Sequence, residues 1–535
     1  MYKILNFESI LKSNREMRKS AVILFIVFLL TALILFPIGL NRYVNIDEGF
    51  YLYSADLVLH GQTPYTYFYY PQMPLLPYIF AGWLAVFGIG WISARIFAVL
   101  LCAFIADLLF YWVYRETKQF RGAVLAVILF VFNSLTPYGL LTAKTFTVTV
   151  VTSLLALILI TDSSPRYGIL KSGFAGFLAG ICFGTRLPAA PVILIVIVVA
   201  LSNNFGQKWR RLLACSTGIM LSLIPVFILF FKDPAIFWFN NVSFHSLRHA
   251  GRPSLIGDFQ QKAKIILGML GHTYTKGGIG SQSLLLFLPF IGVFSRWKKL
   301  SLSEIATLFF AMFMLLVSLL PTPTHHSYFA VSFPFVIFLG MLHLAKVYPS
   351  RPYVKPHLDF AWKWLTMILV LYSLLAVPDI LYCSWFSRRV NNLPSAGGVT
   401  FSYKKDLDIK KVCQVSSYLQ NNTNPNDYLL SFWSGYLFGI NRKAYPGTEN
   451  HVVFSSIWNF SKYFSPEDVQ RYHIVNSRKL RSIIIGRKVN TIVFATDRTE
   501  WSFKGKEREY WISLINEAGY KAKKQFGRIV IYQLS

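Results

Sequence analysis

Residues 45–55, Asn-Ile-Asp-Glu-Gly-Phe-Tyr-Leu-Tyr-Ser-Ala, come just after the apolar run 21–40, AVILFIVFLLTALILFPIGL. A run of this length can cross about 30 Å of hydrocarbon as a helix. It is too long for the core of a signal peptide and has no small-residue cleavage site behind it, so it reads as a retained membrane span. The chain therefore delivers Asp47 and Glu48 to the point where it leaves the membrane. Neighbouring residues on a helix diverge by about 100°, so the two carboxylates meet different surroundings and play different roles. The ordinary alternative for Asp47 is helix capping, with its side chain accepting backbone N–H bonds.

The same pattern of apolar runs continues along the chain. Runs near 92–114, 122–139, 140–161, 172–187, 188–202, 212–231, 283–295, 305–320, 328–345 and 361–379 follow, giving about eleven transmembrane helices. Charged residues make up 14% of the 535-residue chain and hydrophobic residues 54%, against about 25% charged in soluble proteins. A soluble globular protein and a disordered chain are both excluded. The formal net charge of +29 admits nucleic acid, an anionic surface or topology signals as its cause, and its distribution decides among them. With the N-terminus inside, inner segments carry Lys3, Lys12, Arg15, Arg18 and Lys19, then Arg115, Lys118 and Arg121, then Lys208, Arg210 and Arg211, then Arg296, Lys298 and Lys299. The short outer segments hold only Arg42, Lys144 and Arg186. This is the positive-inside bias. It implies a multi-pass protein of the inner or plasma membrane with a cytoplasmic N-terminus, surrounded by membrane lipids, with no nucleic-acid partner. The apolar stretch 74–88 is short and begins with prolines, so it reads as lying on the outer surface or re-entering, within a first outer loop 41–91.

Beyond residue 380 the composition turns polar. Strand-like runs at 428–432, 491–495 and 528–532 alternate with helix-like stretches at 407–421, 476–487 and 506–518. This alternation predicts a soluble extracytoplasmic α/β domain over 381–535, appended to a transmembrane domain over 1–380. Among the five cysteines, Cys102, Cys182 and Cys215 fall in apolar runs and read as packing residues. Cys383 and Cys413 either pair or stay free, depending on compartment.

Several unusual residues share the outer face. Lys144 lies at the outer end of a span and either snorkels to the interface or contacts a phosphate. Arg186, in Gly184-Thr-Arg-Leu-Pro188, sits between two apolar runs and is either a surface arginine at a helix end or a bidentate contact to a phosphate, which suits a guanidinium. The long outer loop 232–282 carries Phe237-Trp-Phe239, His245, Arg248 and His249, a mixture fitting a membrane surface and a phosphate or sugar. The segment Pro321-Thr-Pro-Thr-His-His-Ser-Tyr328 offers His325, His326 and Tyr328 as polar contacts to a head group. Adjacent histidines rarely hold one metal ion without further ligands.

The order of these features resembles a known group. An Asp-Glu pair after the first span, then Tyr and Ala, then Gly61…Pro64-Tyr65, then Pro71-Gln-Met-Pro-Leu75 is similar to the first outer loop of GT-C glycosyltransferases, in particular the protein O-mannosyltransferases and lipid A aminoarabinose transferases. The Gly-Thr-Arg segment and the Pro…His-x-x-Tyr entry to a late span are similar too. The resemblance covers roughly residues 1–380. It implies a mainly α, polytopic GT-C fold. It also implies transfer of a sugar from a polyprenyl-phosphate donor to an acceptor hydroxyl on lipid, polysaccharide or protein, with inversion. Asp47 matches the usual base, and Glu48 is a second catalytic candidate that orients the acceptor or bonds to the backbone. Lys144, Arg186 and Arg248 stabilise the leaving phosphate, while Tyr51, Tyr70 and Gln72 contact the substrates. A monophosphate leaving group held by cations does not demand a metal, so no cofactor is expected. Two departures stand out, the first bearing on a second carboxylate and a metal role, the second on the donor. Lys144-Thr145 stands where relatives often carry an acidic residue, and Gln72-Met73 interrupts a motif that often reads His-Pro-Pro or Lys-Pro-Pro. The competing reading is a transporter or flippase of an anionic lipid-linked substrate, which also needs cations in the membrane. It is disfavoured because the polar groups gather on one face rather than at the midplane.

Overall fold

A computed structural model describes residues 2–133, 136–162, 167–202, 207–247, 255–270, 300–321, 324–347, 406–495 and 506–534. Nine helices lead from the N-terminus to the second large outer segment. They are α1 (Tyr2–Asn41), α2 (Ile46–Leu59), α3 (Leu75–Phe87), α4 (Trp91–Thr117), α5 (Phe120–Val131), α6 (Thr145–Ile160), α7 (Gly168–Thr185), α8 (Pro191–Ser202) and α9 (Lys208–Lys232). Two further apolar helices, Leu302–Ser318 and Phe333–Val347, follow.

Four stretches, Lys19–Asn41, Trp91–Thr117, Gly168–Thr185 and Lys208–Lys232, are long and apolar enough to cross a membrane, and shorter apolar helices accompany them. Val22, Phe25, Leu29 and Leu33 of α1 are exposed, which suits a lipid-facing helix. The protein is thus an integral multi-pass membrane protein. The expected runs 283–295 and 361–379 lie outside the described residues, as does the boundary at 380.

Small residues set the closest packing in the bundle. A Cβ on Gly176 of α7 would fall 2.0 Å from the Cys215 carbonyl oxygen of α9, and one on Gly218 would fall 2.1 Å from the Gly173 oxygen. Backbones that approach this closely gain dispersion contact where lipid supplies no hydrophobic drive. The α7–α9 pair is therefore a firm support for Arg186, which caps the C-terminal end of α7.

One expectation for the helices changes. The run 140–161 becomes a helix only from Thr145, because residues 141–144 bend and Lys144 takes an extended N-cap conformation. The stretch 74–88 forms α3, whose 13 residues reach only about 20 Å at 1.5 Å per residue, too short to cross the hydrocarbon.

The C-terminal region holds a five-stranded sheet in the order β2-β1-β3-β5-β4. The strands are β1 (Tyr428–Ser431), β2 (Lys443–Ala444), β3 (Thr491–Ala495), β4 (Tyr520–Phe526) and β5 (Ile529–Leu534). β1 pairs parallel with β2 and β3, while β5 runs antiparallel to β3 and β4. Buried Leu429, Leu430, Ile492, Val493 and Ile531 make the central strands apolar on both faces, as strands covered by helices must be. Helices Ile409–Asn422, Ser477–Ile485 and Lys506–Glu517 match the expected stretches closely. β4 was not expected: its Tyr-Lys-Ala-Lys-Lys-Gln-Phe sequence is mostly exposed edge strand, and edge lysines discourage further pairing. Cys102, Cys182 and Cys215 are buried. Cys413 is exposed, and Cys383 lies outside the described residues.

Two apolar cores result among the described residues. One fills the bundle from Leu35 to Leu344. The other joins the first outer loop, from Val44 through Ala94, to the sheet and helices of residues 407–532.

Candidate functional site

Asn45 begins the site by starting α2. Its side chain accepts the Asp47 N–H at 3.1 Å, and the Glu48 carboxylate returns to accept the Asn45 N–H at 2.7 Å. This reciprocal arrangement is a capping box. Asn45 and Glu48 therefore perform the capping that was the ordinary alternative for Asp47, and Asp47 is released from it.

Glu48 is fully buried. Besides Asn45, it meets the Arg95 guanidinium at 2.7 Å and accepts the Ala143 N–H at 2.8 Å. Arg95 also donates to the carbonyls of Gly39 at 2.8 Å and Tyr43 at 3.2 Å. A buried carboxylate needs this degree of compensation. Both oxygens are engaged by protein donors, so of the two roles expected for Glu48 the structure shows the bonding to backbone. Glu48 is a positioning residue that ties α1, α2 and α4 to the backbone just before Lys144.

Asp47 points the other way and is 44% exposed. Its Oδ2 accepts a hydrogen bond from Lys144 Nζ at 2.7 Å, and its Oδ1 lies 3.9 Å from His451 Nε2. Lys144 is almost wholly buried, so it neither snorkels nor stands in open solvent; it pairs with Asp47. The ammonium has three donors, and Asp47 engages one.

Arg186 lies beside this pair. Its Nη1 is 3.3 Å from the Thr145 hydroxyl, and its guanidinium sits 4.5 Å from the Phe146 ring centroid. Among the described residues no carboxylate pairs with it, and its buried Nε has no hydrogen-bond partner. Phe146 in turn lies 6.1 Å from the Tyr328 ring, and Tyr328 lies 5.6 Å from His325.

An aromatic wall completes the cluster. Phe50 and Tyr51 are 4.1 Å apart, and Tyr70 lies about 6 Å from both. Burial, with Asp47 adding to it, pushes the Tyr51 phenol well above its ordinary pKa. It stays protonated and can donate. The Tyr70 hydroxyl is buried without a hydrogen-bond partner among the described residues.

Of the expected contacts, Asp47, Lys144, Arg186, Tyr51, Tyr70, His325 and Tyr328 are thus brought into one contiguous cluster. His245 is held on the first outer loop by the Pro71 carbonyl at 3.2 Å. The Gln72 carbonyl accepts from the Tyr65 hydroxyl. These two brace the loop. Arg248 and the side chain of His326 lie outside the described residues. Among the described residues there is no group of three or more His, Cys, Asp or Glu able to hold a metal ion.

Two contributors escape a reading of the sequence. Arg95 stands near the start of an otherwise apolar span, and that charge is the signal in the sequence that marks it. His451 comes from the C-terminal region, about 400 residues from Asp47, and no local pattern announces it. Its region is clamped in place: Trp433 Nε1 donates to the Ile46 carbonyl at 2.9 Å, and the Ala444 N–H donates to the Tyr53 hydroxyl at 2.8 Å.

No protein-family model and no curated protein matches the chain. Solved structures do. ArnT from Cupriavidus metallidurans bound to undecaprenyl phosphate superposes with a TM-score of 0.60 at 12% identity, over 95% of this chain and 97% of that one. Its apo state gives 0.58 at 12% identity, over 96% and 98%. The arabinofuranosyltransferase AftD from Mycobacteria gives 0.50 at 12% identity, over 95% of this chain and 41% of AftD. At such identity the likeness speaks for the fold. The chain shares the fold of these structures, as the resemblance of the first outer loop suggested.

Proposed function

We propose that the protein is a glycosyltransferase that moves a sugar from a polyprenyl-phosphate donor to an acceptor hydroxyl at the outer membrane face, inverting the anomeric centre. The observation that carries this reading is Arg186, a guanidinium with no carboxylate partner among the described residues, set beside the half-exposed Asp47 and its buried partner Lys144. A half-buried cation of this kind is completed by an anion, and a lipid phosphate is such an anion. Shared fold with an enzyme solved with undecaprenyl phosphate supports the choice.

In this reading Asp47 takes the acceptor proton as the hydroxyl oxygen bonds to the anomeric carbon. The bond from that carbon to the phosphate oxygen breaks, and its electron pair leaves with the phosphate. Arg186 and the spare donors of Lys144 stabilise that growing charge. Tyr51 and Tyr70 offer hydroxyls and ring faces to the sugar, and His325 and Tyr328 extend the donor side. Cations of the protein meet the phosphate, so a chelator should leave the rate unchanged. The proposal includes about eleven spans, a cytoplasmic N-terminus and an extracytoplasmic C-terminal domain. It leaves open a hexose or a pentose as donor sugar, and a lipid, polysaccharide or protein as acceptor.

The test is to offer the protein in lipid nanodiscs a panel of polyprenyl-phosphate sugars with total membrane extract, and to follow free polyprenyl phosphate by mass spectrometry. Release from one donor, dependent on extract, is expected. Movement of a donor across proteoliposome membranes without cleavage would instead favour transport.

A further inference from the structure

Asp47 is flanked on both sides. Lys144, from the start of α6, holds Oδ2 at 2.7 Å, and His451, from the C-terminal region, lies 3.9 Å from Oδ1. The second separation is too long for a hydrogen bond, yet it suits a shared third atom. An oxygen about 2.8 Å from each of two atoms so spaced makes an angle near 90°, within the range of a hydroxyl that donates to one and accepts from the other.

We propose that the acceptor hydroxyl lodges between Asp47 Oδ1 and His451 Nε2, so that the C-terminal domain supplies half of the acceptor subsite. The assignment rests on the transferase reading above. The hydroxyl donates its proton to Asp47 and accepts the His451 Nε2–H. Its other lone pair remains for the anomeric carbon.

The surroundings of His451 suit the task. It is nearly fully buried, and its ring packs 5.6 Å from Phe50, which carries the aromatic wall. It stands at the N-terminal edge of the short helix Val452–Ser455. Trp433 on Ile46 and Tyr53 on Ala444 hold this region against α2. The imidazole is thus fixed relative to Asp47 by contacts that do not involve substrate. The donor phosphate falls to the opposite side, with Arg186 and Lys144. Donor and acceptor contacts then come from different parts of the chain, the first from the bundle and the second from the appended domain.

The separation makes the proposal testable. With a donor that wild type turns over, polyprenyl phosphate release is measured against total membrane extract at saturating donor, then against donor at saturating extract. His451→Ala should raise the half-saturating amount of extract tenfold or more and leave that of the donor unchanged. His451→Gln, which can present an Nε2–H in nearly the same place, should recover most of the loss. If the alanine variant melts early, His451→Met fills the space without a donor and replaces it in the comparison with glutamine. An unchanged requirement for extract, or an equal rise in the requirement for donor, overturns the assignment. Absence of release by wild type removes the transferase reading itself, an outcome distinct from an active wild type with an indifferent His451.

Discussion

The two apolar cores of this protein divide it differently from its sequence. The bundle core joins α1, α4 to α9 and the two late helices. The outer core joins the first outer loop to a sheet whose strands lie more than 330 residues further on. Reading along the chain, residues 41–91 belong to the membrane domain. By packing most of their buried side chains join the C-terminal region, while Met73 and Leu75 stay in the bundle core. The candidate site lies along the seam: Asp47 and the aromatic wall come from the outer body, Lys144 and Arg186 from the ends of bundle helices. A site built this way holds its proton acceptor and its cations on separate bodies, so their spacing depends on how firmly the bodies are joined.

Breaking the joint should have the largest effect. Arg95→Met removes the partner of a fully buried Glu48, and stranding such a carboxylate costs about 3–5 kcal/mol. The thermal transition of the purified protein should fall steeply, with loss of transfer. An unchanged transition would mean that the Glu48–Arg95 pair does not tie the two bodies together.

A smaller effect is expected on the outer side of α2. Gly49 lies so close to Trp433 that a Cβ would come within 2.5 Å of the indole. Gly49→Ala should cost about 1–3 kcal/mol through overpacking. Because the strain falls between α2 and the C-terminal region, it should speed proteolysis of that region while bundle helices stay protected. Uniform protection throughout would argue that the outer core is less tightly joined than its contacts imply.

The smallest effect concerns the outer core alone. Burial pushes the Glu449 carboxyl up to about 8, against opposing contributions from the Gly447 N–H at 2.9 Å and from Lys479. Its folded pKa exceeds its unfolded value, so the stability it lends is fully present below the unfolded carboxylate range. That stability is lost as pH rises toward about 8. Glu449→Gln should flatten the dependence of the melting temperature on pH between about 4.5 and 8. A slope identical to wild type would show that Glu449 does not titrate in this window.

The sequence carried what is local. A twenty-residue apolar run, basic inner loops and an Asp-Glu pair are patterns over short spans, and each fixes a helix or a face. Asp47, Lys144 and Arg186 could be proposed as candidates because each is a charge at the end of an apolar run, where few other residues compete for the role. The partition between Asp47 and Glu48 was legible only as a divergence of faces. Which one is buried depends on Arg95 and Ala143, which α2 meets only after folding. His451 and Trp433 were illegible because their significance lies in contacts spanning nearly 400 residues, with no periodicity to mark them. The edge strand β4 was missed because its exposed lysines mimic a solvated loop. The helix before Ile160 was drawn too long because hydropathy does not register the bend at 141–144 that sets Lys144 against Asp47.

The central claim is that Asp47 takes the acceptor proton while bundle cations hold the donor phosphate. Asp47→Asn keeps the shape of the side chain and removes its negative charge. In nanodiscs with an active donor and membrane extract, release of polyprenyl phosphate should fall by about 10²–10⁴-fold, with the protein still folded and donor affinity close to wild type. Release at the wild-type rate by the folded variant would contradict the account.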